Sequence, residues 1–301
     1  MMASKPDNLF TGELKFNEPM SRHTTWRVGG VAEHYFVPAD INDLSRYLQS
    51  LGKDENIFWL GLGSNLLVRD GGIKGSVIAT ANALGGIEML DNNIIEVGAG
   101  VPCAILARFC ARNNLINGEF FAGIPGVVGG ALRMNAGAFG GETWAHVEEV
   151  ETINRDGLVK WRGREDYEVS YRSVNGPANE WFTKARFKFE TGDGELAAQA
   201  IKQLLSKRSA TQPTGTANCG SVFKNPEAGF AAKLIEQSGL KNHRIGGAVV
   251  SDKHTNFIIN DGTATAADIE TLIDYVQDQV FKKTGITLLP EVHIVGERKD
   301  D

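Results

Sequence analysis

Cysteine is scarce in this chain, and the residues present are not spaced for a metal site or a disulfide framework. Cys103, Cys110 and Cys219 form no C-x-x-C pair and are odd in number, which argues against structural zinc and against a set of paired bridges. The six histidines show no H-x-x-x-H spacing or other helical ligand pattern. The sequence therefore predicts no metal site and suits a reducing compartment.

Long apolar runs and runs of positive charge are also missing. No window approaches the ~18 uninterrupted apolar residues that a membrane helix needs, and the opening MMASKPDNLF has no apolar run behind a basic segment. The net charge is −6 and no basic run exceeds two residues, so a nucleic-acid partner is not expected. We therefore predict a cytoplasmic protein that binds neither membranes nor nucleic acid.

Glycine, by contrast, is abundant and grouped. The 35 glycines concentrate at residues 61–63, 71–75, 118–141 and 246–247. Glycines between apolar segments mark backbone that needs positive φ or passes close to another group. The first group, GLGSN at 61–65, follows the apolar run IFWL, and its successive N–H groups suit a phosphate. Because G-x-G-x-x-G and a Walker lysine are both missing, neither a Rossmann nor a P-loop site is predicted, and a simple tight turn stays open.

The second glycine group favours ligand binding over a simple tight turn. GIPGVVGGALRMNAGAFGGE, at residues 123–142, combines many glycines and alanines with apolar Ile124, Val127, Val128 and Leu132. This composition suits backbone lying against a flat extended ligand, although close packing of a helix on a sheet also uses glycine. Two such loops in one domain favour a cofactor of dinucleotide size.

Hydrophobic periodicity predicts an α+β chain in two domains. Helices are expected after Asp40, from Pro102, over 196–208 and from Thr265 to Gly285. Strands are expected at 57–63, running into the glycine loop, and at 77–80, 94–97, 147–153 and 158–161. A hairpin turn at 154–157 is expected to join the last two of these. A final strand is expected in ITLLPEVHIVG, and Pro290 confines it to an edge. The polar, glycine-rich stretch 191–194 is the predicted domain boundary, which gives domains at 1–192 and 193–301.

Five motifs in series carry a resemblance to a known family. GLGSNLLVRDGG, AGIPGVVGGALRMNAGAFGGE, YEVSYRS, CGSVFKNP and LLPEVHIVG follow one another within a span from about Arg22 to Gly296. Together they resemble the UDP-N-acetylenolpyruvoylglucosamine reductases, flavoenzymes of bacterial peptidoglycan precursor synthesis. The resemblance implies a two-part FAD-binding domain of the vanillyl-alcohol-oxidase (PCMH) type, followed by an α/β substrate-binding domain. Arg172 and Gly220 are only 48 positions apart, which is typical of the family's shorter, second type.

The same resemblance implies the ligands. FAD would bind noncovalently, NADPH would be the hydride donor, and the substrate would be UDP-N-acetylglucosamine enolpyruvate, reduced to UDP-N-acetylmuramate. The implied cofactor-binding residues lie in the two glycine loops: Gly61, Gly63, Ser64, Asn65, Gly123, Gly126, Gly129, Gly130, Asn135, Ala136 and Gly137. The implied substrate contacts are Tyr171, Lys224, Asn225 and Asn256. We expect a monomer.

Reduction of an enolpyruvyl ether needs a hydride at the terminal carbon and a proton at its neighbour. Charge then develops on the carboxylate, so the site needs a cation or hydrogen-bond donors there and a proton donor above the adjacent carbon. By resemblance, Arg172 holds the carboxylate, Ser221 donates the proton and Glu291 assists. The residues alone favour a solvated side chain at both positions, at a strand end for Arg172 and on an edge strand for Glu291, and only the resemblance gives them catalytic roles.

Two other functions are compatible with the same cofactor domain. A flavin oxidase of this fold would be favoured by a covalent flavin link to histidine or cysteine, and neither residue occurs in the two glycine loops. An FAD-binding electron-transfer subunit would not need Arg172, Ser221 and Glu291 in two domains. These three residues therefore favour the reductase.

Overall fold

The computed structural model describes residues 9–299, whose buried side chains form four hydrophobic clusters. We call residues 9–211 the first unit and residues 212–299 the second unit; one cluster joins the second unit to Trp26, Val28 and Leu67 of the first. The helices within these residues are α1 (Ile41–Ser50), α2 (Cys103–Arg112), α3 (Val128–Met134), α4 (Gly194–Thr211), α5 (Ala231–Gln237) and α6 (Ala266–Thr284). The strands are β1 (Glu13–Pro19), β2 (Val31–Val37), β3 (Ile57–Leu60), β4 (Leu66–Val68), β5 (Ile73–Ala79), β6 (Ile87–Met89), β7 (Ile94–Gly98), β8 (Leu115–Ile116), β9 (Gly137–Ala138), β10 (Gly141–Glu142), β11 (Val147–Asn154), β12 (Val159–Gly163), β13 (Glu168–Ser170), β14 (Ser173–Asn175), β15 (Glu180–Lys188), β16 (Glu190–Thr191), β17 (Arg244–Ile245), β18 (Ala248–Val250), β19 (Ile258–Asn260) and β20 (His293–Val295). The mixture of helices and strands confirms the α+β expectation.

The first unit begins with a four-stranded sheet in the order β1-β2-β5-β3, in which β2, β5 and β3 are parallel. Helix α1 connects β2 to β3, as the sequence predicts. Its first turn is capped because the Asp40 carboxylate accepts a hydrogen bond from the Asp43 backbone N–H at 2.8 Å. Leu44 and Leu48 bury the inner face of the helix. Strand β3 is an edge strand of this sheet, and the glycine loop at 61–65 follows it directly.

A second sheet completes the first unit, in the antiparallel order β12-β11-β15-β7-β6. The predicted hairpin between β11 and β12 is present. Helices α2 and α3 pack on this sheet through Leu106, Val128 and their neighbours. Ala197 and Ile201 of α4 are buried in the same core. The domain boundary at 192–193 stays a prediction, and the packing places α4 against the first unit.

The second unit contains a small sheet, in the order β17-β18-β19, with α5 and α6. Helix α6 starts with a capping box in which Thr265 and Asp268 exchange side-chain and backbone hydrogen bonds, and it ends at Gly285 as predicted. The predicted closing strand is shorter than expected. Only His293–Val295 is regular, and it pairs in parallel with β4 of the first unit. The chain therefore returns to the first unit immediately after residue 291.

Side chains also connect the units. The Trp26 indole donates to the Ile258 carbonyl at 2.8 Å, and Trp26 lies in the core of the second unit. Arg69 forms a bidentate pair with Glu270, with Nε–Oε2 and Nη2–Oε1 distances of 2.9 Å each. No helix within residues 9–299 has the length and apolarity to cross a membrane.

Candidate active site

A cavity of about 980 Å³ lies between the units and is lined by both glycine loops. Of the eleven cofactor-binding residues predicted from the sequence, all except Asn135 line it. The predicted catalytic residues Ser221, Arg172 and Glu291 line it as well. The structure thus brings together segments that are far apart in the sequence, in a cavity large enough for a cofactor and a substrate.

The first glycine loop presents unpaired donors to this cavity. The backbone N–H groups of residues 61–65 have no acceptor within residues 9–299. Gly63 permits the sharp turn, since its φ is +60° and an added Cβ would lie 2.1 Å from the His23 carbonyl oxygen. A row of free N–H groups in a tight glycine-containing turn suits a pyrophosphate. The donors present therefore fit the cofactor that the sequence predicts.

The second loop supplies open space opposite the first. A Cβ added to Gly130, in the first turn of α3, would meet no atom within 4 Å. A Cβ at Gly126 would lie 3.5 Å from the Ser64 hydroxyl oxygen, so the two loops are almost in contact at that point and the open space lies beside Gly130. This glycine-lined space is what a flat extended ligand such as FAD requires.

Asn135 does not line the cavity but supports residues that do. It is buried and adopts the left-handed conformation, with φ 43°, at the end of α3. Its side-chain amide donates to the Ser170 carbonyl at 3.2 Å, and its side-chain oxygen accepts from the Trp144 backbone N–H at 3.1 Å. Its backbone carbonyl accepts a hydrogen bond from Arg172. Asn135 therefore joins the second loop to the hairpin that carries Arg172.

Arg172 lies in the two-residue turn between β13 and β14, with φ 53°. Its guanidinium is held on three sides. Nη1 donates to the Asn135 carbonyl at 3.1 Å, Nη2 to the Gly137 carbonyl at 2.8 Å and Nε to the Glu291 carboxylate at 3.0 Å. Since a guanidinium carries five N–H groups, two remain for a ligand. The side chain is thus fixed in orientation and still able to bind an anion.

Glu291 is held by the chain that precedes β20. Its backbone N–H donates to the Val222 carbonyl at 2.7 Å, and its carbonyl accepts from the Asn65 side-chain amide at 2.9 Å. Burial raises the pKa of the Glu291 carboxyl above its ordinary value, although the charges of Arg172 and Lys224 oppose this shift. A buried carboxyl with a raised pKa is suited to holding a proton.

Ser221 lies on a loop held rigid by Asn256. The Asn256 side chain accepts from the Phe223 backbone N–H at 3.0 Å and donates to the Phe223 carbonyl at 2.9 Å. Its own carbonyl accepts from the Val222 N–H at 2.9 Å. The Ser221 hydroxyl makes no hydrogen bond to another residue within 9–299 and lines the cavity, half-buried. The preceding thiol, Cys219, is buried, and burial raises its pKa far above the usual range.

The four predicted substrate contacts do not line the cavity, and their substrate roles stay predictions. Asn256 is buried behind the Ser221 loop. Asn225 is exposed, and its side-chain oxygen accepts from the Ala231 N–H at 3.1 Å. Tyr171 is exposed, with the Arg172 guanidinium 5.0 Å from its ring centre. Lys224 is nearest to the chemistry, because its Nζ donates to the Arg172 carbonyl at 3.3 Å.

Several cavity residues were not found from the sequence. Arg208, near the end of α4, lines the cavity, donates to the Gln212 side chain at 3.0 Å and has no carboxylate partner within residues 9–299. Gln212 immediately follows α4, and its spacing of four residues from Arg208 is the signal in the sequence for this contact at the end of the helix. His293 also lines the cavity. Its position two residues after Glu291 indicates the same side of an extended chain.

Two stretches of the chain match known protein families. Residues 32–162 match the family described as FAD binding domain. Residues 212–295 match the family described as UDP-N-acetylenolpyruvoylglucosamine reductase, C-terminal domain. The first matched stretch includes both glycine loops and the second includes Ser221 and Glu291, whereas Arg172 lies between the two stretches.

Relatives match over nearly the whole chain. A UDP-N-acetylenolpyruvoylglucosamine reductase from Methylococcus capsulatus is 56% identical over 281 residues, which are 93% of this chain and 92% of that protein. One from Legionella pneumophila (strain Corby) is 57% identical over 287 residues, 95% and 93% of the two chains. The crystal structure of a reductase of this kind from Thermus caldophilus has a TM-score of 0.78 at 31% identity and covers 94% of this chain and 98% of that one. These matches confirm the resemblance drawn from the five motifs and the expected order of an FAD-binding domain followed by the reductase C-terminal domain.

Proposed function

This chain belongs to the UDP-N-acetylenolpyruvoylglucosamine reductase family, and we propose that Arg172, Glu291 and Ser221 carry out its reaction. The protein is a flavin-dependent oxidoreductase that reduces UDP-N-acetylglucosamine enolpyruvate to UDP-N-acetylmuramate, with NADPH as the hydride donor. The loops at 61–65 and 123–137 would hold FAD, which would supply the hydride for the terminal carbon of the enolpyruvyl group.

Arg172 binds the enolpyruvyl carboxylate in this proposal. The two N–H groups left free by Asn135, Gly137 and Glu291 match a carboxylate in number and sign. As negative charge grows on that carboxylate in the transition state, a guanidinium already fixed in place stabilises it without having to reorient. The three hydrogen bonds to protein groups therefore contribute to catalysis by fixing the orientation of the cation.

Glu291 acts in its protonated form. An ionised carboxylate beside a developing carboxylate charge would oppose the reaction, whereas a neutral carboxyl both keeps Arg172 in place and offers a hydrogen-bond donor. Burial raises the pKa of Glu291 in the direction that this role needs. Binding of an anionic substrate next to it favours the protonated form further.

Ser221 donates the proton to the carbon next to the carboxylate. Its hydroxyl has no other partner within residues 9–299, and it faces the cavity that Arg172 and Glu291 share. The Lys224 ammonium on the same loop helps to stabilise the alkoxide that remains. The observation that best supports the proposal is that three side chains from separate segments line one cavity together with the cofactor loops.

Anaerobic stopped-flow tests the proposal. The bound flavin is first reduced with one equivalent of NADPH, the enolpyruvyl substrate is added, and the visible flavin absorbance is followed. We expect rapid reoxidation in the wild type and in the control Ser206→Ala, an exposed serine on α4, and strongly slowed reoxidation in Ser221→Ala with unchanged reduction by NADPH. Reoxidation of Ser221→Ala at the wild-type rate would overturn the proton-donor role. A flavin that stays reduced until oxygen is admitted would favour the oxidase.

We also propose that the protein acts as a cytoplasmic monomer without membrane or nucleic-acid partners. The net charge of −6 and the short basic runs support this. Sedimentation of the purified protein tests the monomer, and a stable dimer at micromolar concentration would contradict it. We further propose the domain boundary at 192–193, which limited proteolysis near residues 191–194 tests.

A further inference from the structure

Trp59 and Trp181 form a parallel aromatic pair in the wall of the cavity. Trp59 belongs to β3 of the first sheet and Trp181 to β15 of the second sheet. Their ring centres are 5.2 Å apart and the ring planes differ by 2°. Both are half-buried, pack against the small core around Phe36 and Leu44, and line the cavity. The pair thus lies where the two sheets of the first unit meet at the cavity.

Two segments run from the catalytic residues to this pair. Asn65 contacts the Glu291 carbonyl at 2.9 Å, and the chain leads back from it through the free N–H groups of residues 61–65 to Trp59. Six residues of extended chain span at most about 20 Å. From Arg172, the cavity wall continues through residues 174–182 to Trp181. Along the first segment, the free N–H groups therefore lie between the residue that contacts Glu291 and Trp59, and both indoles line the same cavity as Arg172.

A buried polar group without a partner in the described part of the chain belongs to another residue that lines the cavity. The Tyr167 hydroxyl is buried, has no hydrogen bond within residues 9–299 and belongs to a side chain that lines the cavity. Gly176 lies directly against the ring, since a Cβ there would be 2.3 Å from it. The Tyr167 ring packs against Trp144 and Phe182, so its hydroxyl is a second feature of the cavity wall, separate from the indole pair.

We propose that the Trp59–Trp181 pair is the stacking surface for the adenine ring of FAD and makes the protein select FAD over FMN. The inference rests on the proposed function, because it requires the flavin ring at the Arg172 end. With the pyrophosphate on the N–H groups of residues 61–65, the adenosine half extends towards the indoles. Aromatic side chains bind nucleobases through their faces. FMN has no adenosine half and cannot use the pair.

Flavin binding to cofactor-free full-length protein tests the inference. We expect the wild type to bind FAD more tightly than FMN. Trp59→Leu and Trp181→Leu should each raise the Kd for FAD about tenfold or more, the effect expected from loss of one base–aromatic stack, and leave the Kd for FMN unchanged. Trp59→Phe keeps an aromatic face and should restore most of the FAD affinity. Trp161→Leu is the control, because Trp161 packs under the Arg186 guanidinium, 4.1 Å from it, and does not line the cavity.

Two outcomes would overturn the inference. One is an unchanged Kd for FAD in both leucine variants. The other is an equal loss of FAD and FMN binding, which would mean that the indoles only hold the sheets together. In either case a wild type that binds FAD and reduces the enolpyruvyl substrate leaves the proposed function standing. A wild type that binds neither flavin would contradict the proposed function itself.

Discussion

Replacing Asn256 with alanine should destabilise the protein by removing the support of the Ser221 loop. Both polar atoms of the Asn256 side chain bond to Phe223, one to its N–H at 3.0 Å and one to its carbonyl at 2.9 Å. Asn256 and Phe223 are 4% and 2% exposed, so water cannot replace these bonds. Alanine leaves two buried backbone groups without partners. At about 1–3 kcal/mol for each unsatisfied group, the expected loss is about 2–6 kcal/mol.

A loss of this size is large compared with a total stability of about 5–15 kcal/mol, and urea unfolding measures it directly. Asn225→Ala is the matched control on the same loop, because Asn225 is exposed and makes one backbone hydrogen bond; it should cost about 1 kcal/mol or less. The reasoning fails if Asn256→Ala unfolds at the wild-type urea concentration. A higher KM for the enolpyruvyl substrate at wild-type stability would instead support the substrate contact that the resemblance implies.

Three further changes test the cofactor loops and the catalytic pair. Gly130→Ala should raise the stability of the cofactor-free protein by about 0.5–1 kcal/mol, because Gly130 is helical and its Cβ direction is open, yet weaken FAD binding measured by titration; tighter binding would contradict the site. In wild type, kcat should fall as pH rises through the raised pKa of Glu291, and Glu291→Gln should lose that dependence. Because the pKa of Glu291 is higher in the folded protein than in the unfolded chain, the folded state binds the proton more tightly. The wild type should therefore lose stability relative to Glu291→Gln as the pH rises towards the folded-state pKa, which urea unfolding at a series of pH values measures. Arg172→Lys should lower kcat about a hundredfold, since one ammonium cannot replace the three hydrogen bonds to protein groups and the two free N–H groups of the guanidinium. Near-normal turnover would refute the proposed role of the guanidinium.

The elements that the sequence predicted well are those with local signals. Asp40 at the start of α1 and the Thr265–Asp268 capping box of α6 act within one helical turn, so they are legible without tertiary structure. The last strand is different. Its regular part, His293–Val295, depends on β4 for a partner, and pairing between elements this far apart leaves no local pattern. The packing of α4 against the first unit likewise depends on contacts between distant segments, so no local pattern predicts it.

The candidate site divides in a similar way. The glycine loops were found from composition, because free N–H groups and open Cβ directions demand glycine wherever they occur. The pairing of Arg172 with Glu291 joins residues 119 positions apart and was not predicted; the resemblance to a family indicated only a catalytic role for each residue. The Trp59–Trp181 pair was not predicted, since each tryptophan alone reads as an ordinary strand residue. Contacts between sheets become visible only in three dimensions.

Asn65 shows how the cofactor loop and the catalytic residues are connected. Its side-chain amide donates to the Glu291 carbonyl at 2.9 Å, and its backbone carbonyl accepts from the His293 N–H at 3.1 Å. The segment carrying Glu291 is thus attached at two points to the loop whose N–H groups face the cofactor. Because Glu291 in turn orients Arg172, any displacement of this loop is transmitted to the carboxylate-binding group. Binding of the cofactor to this loop and ordering of Arg172 and Glu291 are therefore expected to be coupled.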